Sequence, residues 1–135
     1  MKQQRVLSIL AFAMLLLSMI APWGCTSESG ILTIEPPEID TTVQVSFSMD
    51  IVPEFNKSCN TSGCHNTGSF APDLSPENAY GALFAGNYID TLTPESSELM
   101  QWLLGNRNID MPPTGPDEEL NKKVLTWITQ GAKDN

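Results

Sequence analysis

Seven residues constrain this chain more than any other stretch. Cys59-Asn60-Thr61-Ser62-Gly63-Cys64-His65 holds two of its three cysteines and its only histidine. Four residues separate the thiols, and the imidazole follows the second thiol directly. Any chemistry that needs two sulfurs and an imidazole from a single turn must organise whatever folds around it. Asn60, Ser62 and Gly63 are turn-forming types, so the intervening backbone is free to bulge outward. The segment sits in a short domain: residues 46–135 amount to about 90 residues, a length at which a protein-only core is marginal.

Three chemistries fit the seven residues. A Cys-His pair with another cysteine just upstream is the attachment pattern of c-type haem, in which the thiols add across the vinyl groups and the imidazole reaches the iron. The commonest form of that pattern has two residues between the cysteines rather than four. In an oxidising compartment, Cys59 and Cys64 would instead pair as a local disulfide. With a carboxylate as fourth ligand, the two cysteines and His65 would hold zinc.

The start of the chain narrows the compartment. Lys2 and Arg5 precede Val6–Ile20, a nearly continuous apolar run too short to span a bilayer comfortably, so residues 1–24 read as an export signal peptide. Ala21-Pro22-Trp23-Gly24-Cys25 resembles a bacterial lipobox, which implies that Cys25 is lipidated and becomes the mature N-terminus. Conventional cleavage nearby would leave Cys25 as an odd thiol. Both readings place the mature protein outside the cytoplasm, in the periplasm or at the outer-membrane surface, and c-type haem is attached on that side.

The whole chain carries a net charge of −9. Loss of the signal leaves 5 basic against 16 acidic groups, a net charge of −11. That balance argues against nucleic acid and anionic lipid. It favours either a basic protein partner or simple solubility.

Residues 25–45, with Ser27-Glu28-Ser29-Gly30 and Glu35-Pro36-Pro37-Glu38, read as an extended linker. Beyond it the periodicity predicts an all-α domain over 46–135. Ser48 or Asp50 would cap a first helix with Ile51, Val52 and Phe55 on one side and Pro53 in its first turn. Ser75-Pro76-Glu77 would open a second helix running to Gly86. Thr93-Pro94-Glu95 or Ser97 would open a third, stopped by Gly105. The last helix runs from near Pro116-Asp117-Glu118 to Gln130, with Leu120, Val124, Leu125, Trp127 and Ile128 as its apolar stripe and Gly131 as terminator. Only Thr41–Phe47 hints at a strand.

With a single histidine, a six-coordinate iron would need a different second ligand, and a methionine thioether is the next candidate. Met49 lies just before the attachment segment and Met100 falls inside a predicted helix, where core packing explains it. Met111 stands in an irregular segment between two helices, stiffened by Pro112 and Pro113.

The residues Phe47–Phe55, Cys59–His65, Leu74-Ser75-Pro76, Ser96-Ser97-Glu98-Leu99, Met111-Pro112-Pro113, Trp127-Ile128 and Gly131-Ala132 together resemble the monohaem c-type cytochrome domains of exported bacterial proteins. The likeness is greatest to a subgroup with lengthened cysteine spacing in Bacteroidetes-type lipoproteins, and it covers about Ser46 to Ala132. The resemblance implies the class I cytochrome c fold, with an N-terminal helix crossing the C-terminal one around a single covalent haem c. It implies that Cys59 and Cys64 form the thioethers, that His65 is the proximal iron ligand and that Met111 is the distal one. Pro72 resembles the proline whose carbonyl accepts from the proximal imidazole, although a plain loop proline fits equally. Arg107 would pair with a haem propionate or stand as an ordinary surface arginine. Trp127 is expected in the helix crossing.

The expectation is therefore a lipid-anchored, exported electron carrier that passes single electrons between redox protein partners and is not an enzyme. Two rivals stand beside it. One is a haem peroxidase-like protein with an open iron site, for which Asp110 is the only obvious acid. The other is a non-haem, disulfide-stapled helical lipoprotein acting as a binding module.

Overall fold

The computed structural model describes residues 37–135. The expected signal peptide, Cys25 and the linker as far as residue 36 lie outside the described residues. The described part is helical, with no strand among the described residues.

The first helical segment opens with a π-helical turn, Phe47–Ile51, and continues as α1, Val52–Ser58. Its cap is Ser46 rather than the expected Ser48 or Asp50. The Ser46 hydroxyl accepts from the Met49 amide at 3.2 Å, and the Asp50 carboxylate reaches back to accept from the Ser46 amide at 2.7 Å. This reciprocal arrangement satisfies two amides that the first turn leaves without helical partners. Phe47, Ile51, Val52 and Phe55 point inward.

α2 spans Ala79–Ala85 and begins a turn later than Ser75-Pro76-Glu77 predicts. The Asp73 carboxylate explains the delay, because it draws Ser75 and Asn78 into a side-chain knot. It accepts from the Ser75 amide at 3.0 Å, the Ser75 hydroxyl at 2.5 Å and the Asn78 amide group at 2.9 Å. A 3-10 turn, Pro94–Ser96, leads into α3, Glu98–Leu103. α4, Glu118–Thr129, is capped by Asp117, whose carboxylate accepts from the Leu120 amide at 3.1 Å, and ends before Gly131 at φ +95°. Its five expected apolar residues are all buried.

The strand hint at Thr41–Phe47 is not realised, and the reason lies in its hydrogen-bond partners. A strand needs a backbone ladder, but this segment meets two distant side chains, Gln130 and Asn135, the latter accepting from the Phe47 amide at 2.9 Å. Gln130 accepts from the Val45 amide at 3.0 Å and donates to the Val43 carbonyl at 2.6 Å. Val45 is buried and Ile39 packs against the core, so the end of the expected linker lies on the domain.

α4 packs against the π-helical turn and against α3. Trp127, 1% exposed, stands at the centre of the first contact. Its ring lies 4.9 Å from that of Phe47 and 6.4 Å from that of Tyr80, centroid to centroid. The indole N–H donates to the Lys133 carbonyl at 2.8 Å, which satisfies the one polar atom the ring carries inward.

At the edge of this contact Glu54 bridges α1 and α4, accepting from Lys123 at 2.6 Å and from Lys57 at 2.7 Å. The bond from Lys123 and then that from Lys57 hold the Glu54 carboxyl below its usual range. A depressed carboxylate contributes stability above its ordinary pKa and loses it as pH falls through the lowered one. Glu54→Gln is therefore expected to cost about 0.5–1 kcal/mol at neutral pH, the lysines being partly screened by solvent. The gap to the parent protein should close below the usual carboxylate range. Urea denaturation at pH 7 and pH 3 checks both statements.

Candidate functional site

The end of α1 delivers the first thiol. The Cys59 amide donates to the Phe55 carbonyl at 2.8 Å, finishing the helix, and the chain then folds back on itself. The Cys64 amide reaches Thr61 at 2.9 Å and the His65 amide reaches the Cys59 carbonyl at 3.0 Å. Gly63 takes φ +83°, a conformation that side-chain-bearing residues rarely adopt, so the four-residue spacer closes as a turn. The Leu74 amide then donates to the His65 carbonyl at 2.7 Å, and Asn60 donates to the Leu74 carbonyl at 3.2 Å. Both cysteines and His65 thus share one stitched loop.

Nδ1 of His65 lies 3.2 Å from the Pro72 carbonyl. A carbonyl only accepts, so the contact favours the tautomer with its proton on Nδ1, in which Nε2 has the lone pair. Pro72, for which a plain loop role fitted equally, orients the imidazole. The Asp73 knot fixes the residue beside it. The Asp73 carboxyl is held below its usual range by the Ser75 hydroxyl and then by the Ser75 amide.

Cys59, Cys64 and His65 all line one cavity of about 460 Å³. Phe55, Leu74, Leu99 and Leu103 wall its buried side, and Trp102, Met111, Pro112 and Pro113 contribute from α3 and the segment after it. That volume lies in the ordinary range of cofactor sites, and the lining is mostly apolar. Phe70 and Ile109 also line it although 70% and 62% exposed, which places them at its open edge.

The three candidate methionines separate cleanly. Met49 is 78% exposed and Met100 is fully buried in the core, and neither borders the cavity. Met111 does. Asp110 is exposed and does not line the cavity.

The two thiols are free, not bonded to one another. Among the described residues no cluster of three or more His, Cys, Asp or Glu side chains is arranged to hold a metal ion. Cys59 is buried, and burial pushes its thiol up against a smaller opposing effect from the Ser58 hydroxyl. Cys64 is partly exposed. Because the thiolate is the reactive form, iodoacetamide should modify Cys64 about tenfold faster than Cys59 in haem-free protein. Mass spectrometry of timed samples reads the order directly.

Two features lay beyond the sequence reading. The Asp73 knot had a local signal, an aspartate two residues before a serine, which is a common turn arrangement. The partner of Arg107 had none. Its guanidinium grips the Glu98 carboxylate with two parallel bonds, Nε to Oε1 at 2.9 Å and Nη2 to Oε2. That arginine bond is the chief reason the Glu98 carboxyl lies below its usual range.

No protein-family model, curated protein or solved structure matches this chain.

Proposed function

We propose that the chain is an exported monohaem c-type cytochrome, tethered through Cys25, that carries single electrons between protein partners and catalyses no reaction itself. The observation that carries the reading is one apolar cavity bordered by both cysteines, an imidazole oriented by the Pro72 carbonyl and a methionine thioether. The residues suit a covalently held haem. Cys59 and Cys64 would tether it, while His65 through Nε2 and Met111 through its sulfur would bind the iron. A haem held there supplies an iron that gains and loses one electron at a time, at a potential that histidine–methionine ligation raises.

The chain's own residues do the rest. Accepting at its carbonyl, Pro72 favours the His65 proton on Nδ1, which turns Nε2 toward metal binding and restrains the ring. Phe55, Leu99 and Leu103 keep water from the buried side, which favours a small reorganisation when charge changes. Phe70 and Ile109 offer an apolar rim for transient contact with a partner. The acidic surface favours a partner with a basic docking face.

A pyridine haemochrome spectrum on protein made with a c-type maturation system, after extraction with acidic acetone, tests the reading. Haem that stays with the protein and gives the α-band of two thioethers supports it. A band shifted toward one free vinyl means that the long spacer lets a single cysteine react. A colourless protein sinks it and leaves the non-haem binding module as the reading.

A further inference from the structure

Met111 is carried between α3 and α4 on a segment with few polar ties. Gly105, at φ +75°, turns the chain out of α3. Asn106 is fixed twice to Gln101, amide to carbonyl at 3.0 Å and side chain to side chain at 3.2 Å. Arg107 follows with its two-pronged grip on Glu98. From Asn108 to Met111 no hydrogen bond is made among the described residues, and the next tie is the Gly115 amide to the Pro112 carbonyl at 2.8 Å. The ion pair is therefore the last fixed point before the thioether, four residues upstream of it. A chain of four residues reaches at most about 14 Å, so the position of Arg107 bounds where the sulfur can go. Its partner stands on the same helix that walls the cavity through Leu99, Trp102 and Leu103.

We propose that Glu98 and Arg107 form a positioning pair, an ionic latch that holds the Met111 segment against the cavity and sets how often the thioether leaves it. The proposal rests on the haem reading above. An isolated surface ion pair contributes little, but a bidentate arginine–carboxylate fork fixes direction as well as distance. Here nothing downstream substitutes for it until Pro112.

The test compares haem-loaded parent protein with Glu98→Gln, Arg107→Gln, the double variant and Arg107→Lys. Three signals are read: the red-edge sulfur-to-iron absorption band, the rate at which added imidazole displaces the thioether from ferric iron, and hydrogen exchange of the Gly105 and Asn106 amides, which are hydrogen-bonded to the Trp102 and Gln101 carbonyls. Each glutamine variant should take up imidazole about fivefold faster and exchange those amides faster by a similar factor. The double variant should be no faster than either single, since both remove one interaction. Arg107→Lys should fall between, keeping charge without the fork. About 1 M salt should speed the parent toward the variants and leave the variants unchanged.

Variants that match the parent in imidazole uptake and in exchange overturn the latch, as does a double variant that simply sums the singles. A parent protein without haem sinks the haem reading instead. Exchange alone then decides the latch, and unchanged exchange in Glu98→Gln overturns it.

Discussion

With haem bound as proposed, Met111→Ala will abolish the red-edge sulfur-to-iron band and lower the reduction potential by on the order of 0.1 V or more, within the roughly 0.8 V that axial ligands command. Met100→Leu and Met49→Leu will leave both signals where they were. The contrast follows from position. Met111 borders the cavity that also holds His65 and both thiols, whereas Met100 is enclosed by core and Met49 is 78% exposed. Met100→Leu is close to volume-conserving, so it should cost less than about 1.5 kcal/mol of stability and nothing in ligation. A redox titration with absorption spectra on the three variants gives the answer in one series. A band that survives in Met111→Ala removes this residue from the iron and reopens the choice of distal ligand.

What was legible in the sequence was what local rules determine. α4 announced itself through Asp117, a 3.6-residue apolar stripe and Gly131, all within fifteen residues, and each feature takes its expected place. The segment with Met111 was legible as irregular because Pro112 and Pro113 cannot continue a helix. Separation in sequence marks where legibility ended. Arg107 finds Glu98 nine residues away across the turn at Gly105, and Gln130 finds Val45 at a distance of 85 residues. A side chain that satisfies a distant backbone leaves no periodicity behind, which is why Thr41–Phe47 read as a weak strand. The choice of Ser46 as cap, over Ser48 and Asp50, was decided by Asp50 reaching back to the Ser46 amide. Ser46 is of the same cap-forming type as Ser48 and Asp50, the two residues expected there, so local propensity did not single it out.

Several of the short motifs read from the sequence come together at the cavity. Cys59, Cys64 and His65 come from one loop, Leu74 from the next and Leu99 from α3, with Met111 arriving last. Residues spread over more than fifty positions border a common space lined by α1, α3 and the segments that follow them, while α4 packs on the π-helical turn and α3. The sequence alone placed the donors on separate elements. Their convergence is a tertiary property, set by the aromatic and aliphatic contacts that hold α4 against the rest.

Trp127→Ala is the substitution that tests those contacts, and it will cost about 3–5 kcal/mol. The ring is 1% exposed, lies against Phe47 and Tyr80, and ties the chain end through its bond to the Lys133 carbonyl. Its removal opens a hole between α4 and the π-helical turn and leaves that carbonyl without its donor. A small domain has only about 5–15 kcal/mol in total, and one of this size lies toward the low end. Haem attachment would add apolar contacts along the cavity wall and so offset part of the loss. The expected result is a haem-loaded Trp127→Ala protein that stays folded but unfolds at distinctly lower guanidinium concentration. The same substitution in protein made without haem should leave little helical signal at 222 nm. Trp127→Phe, which keeps a ring but loses the N–H, should fall between. Equal midpoints for Trp127→Ala and the parent would place the organising contact of the fold elsewhere than at the crossing of α4 with the first helical turn.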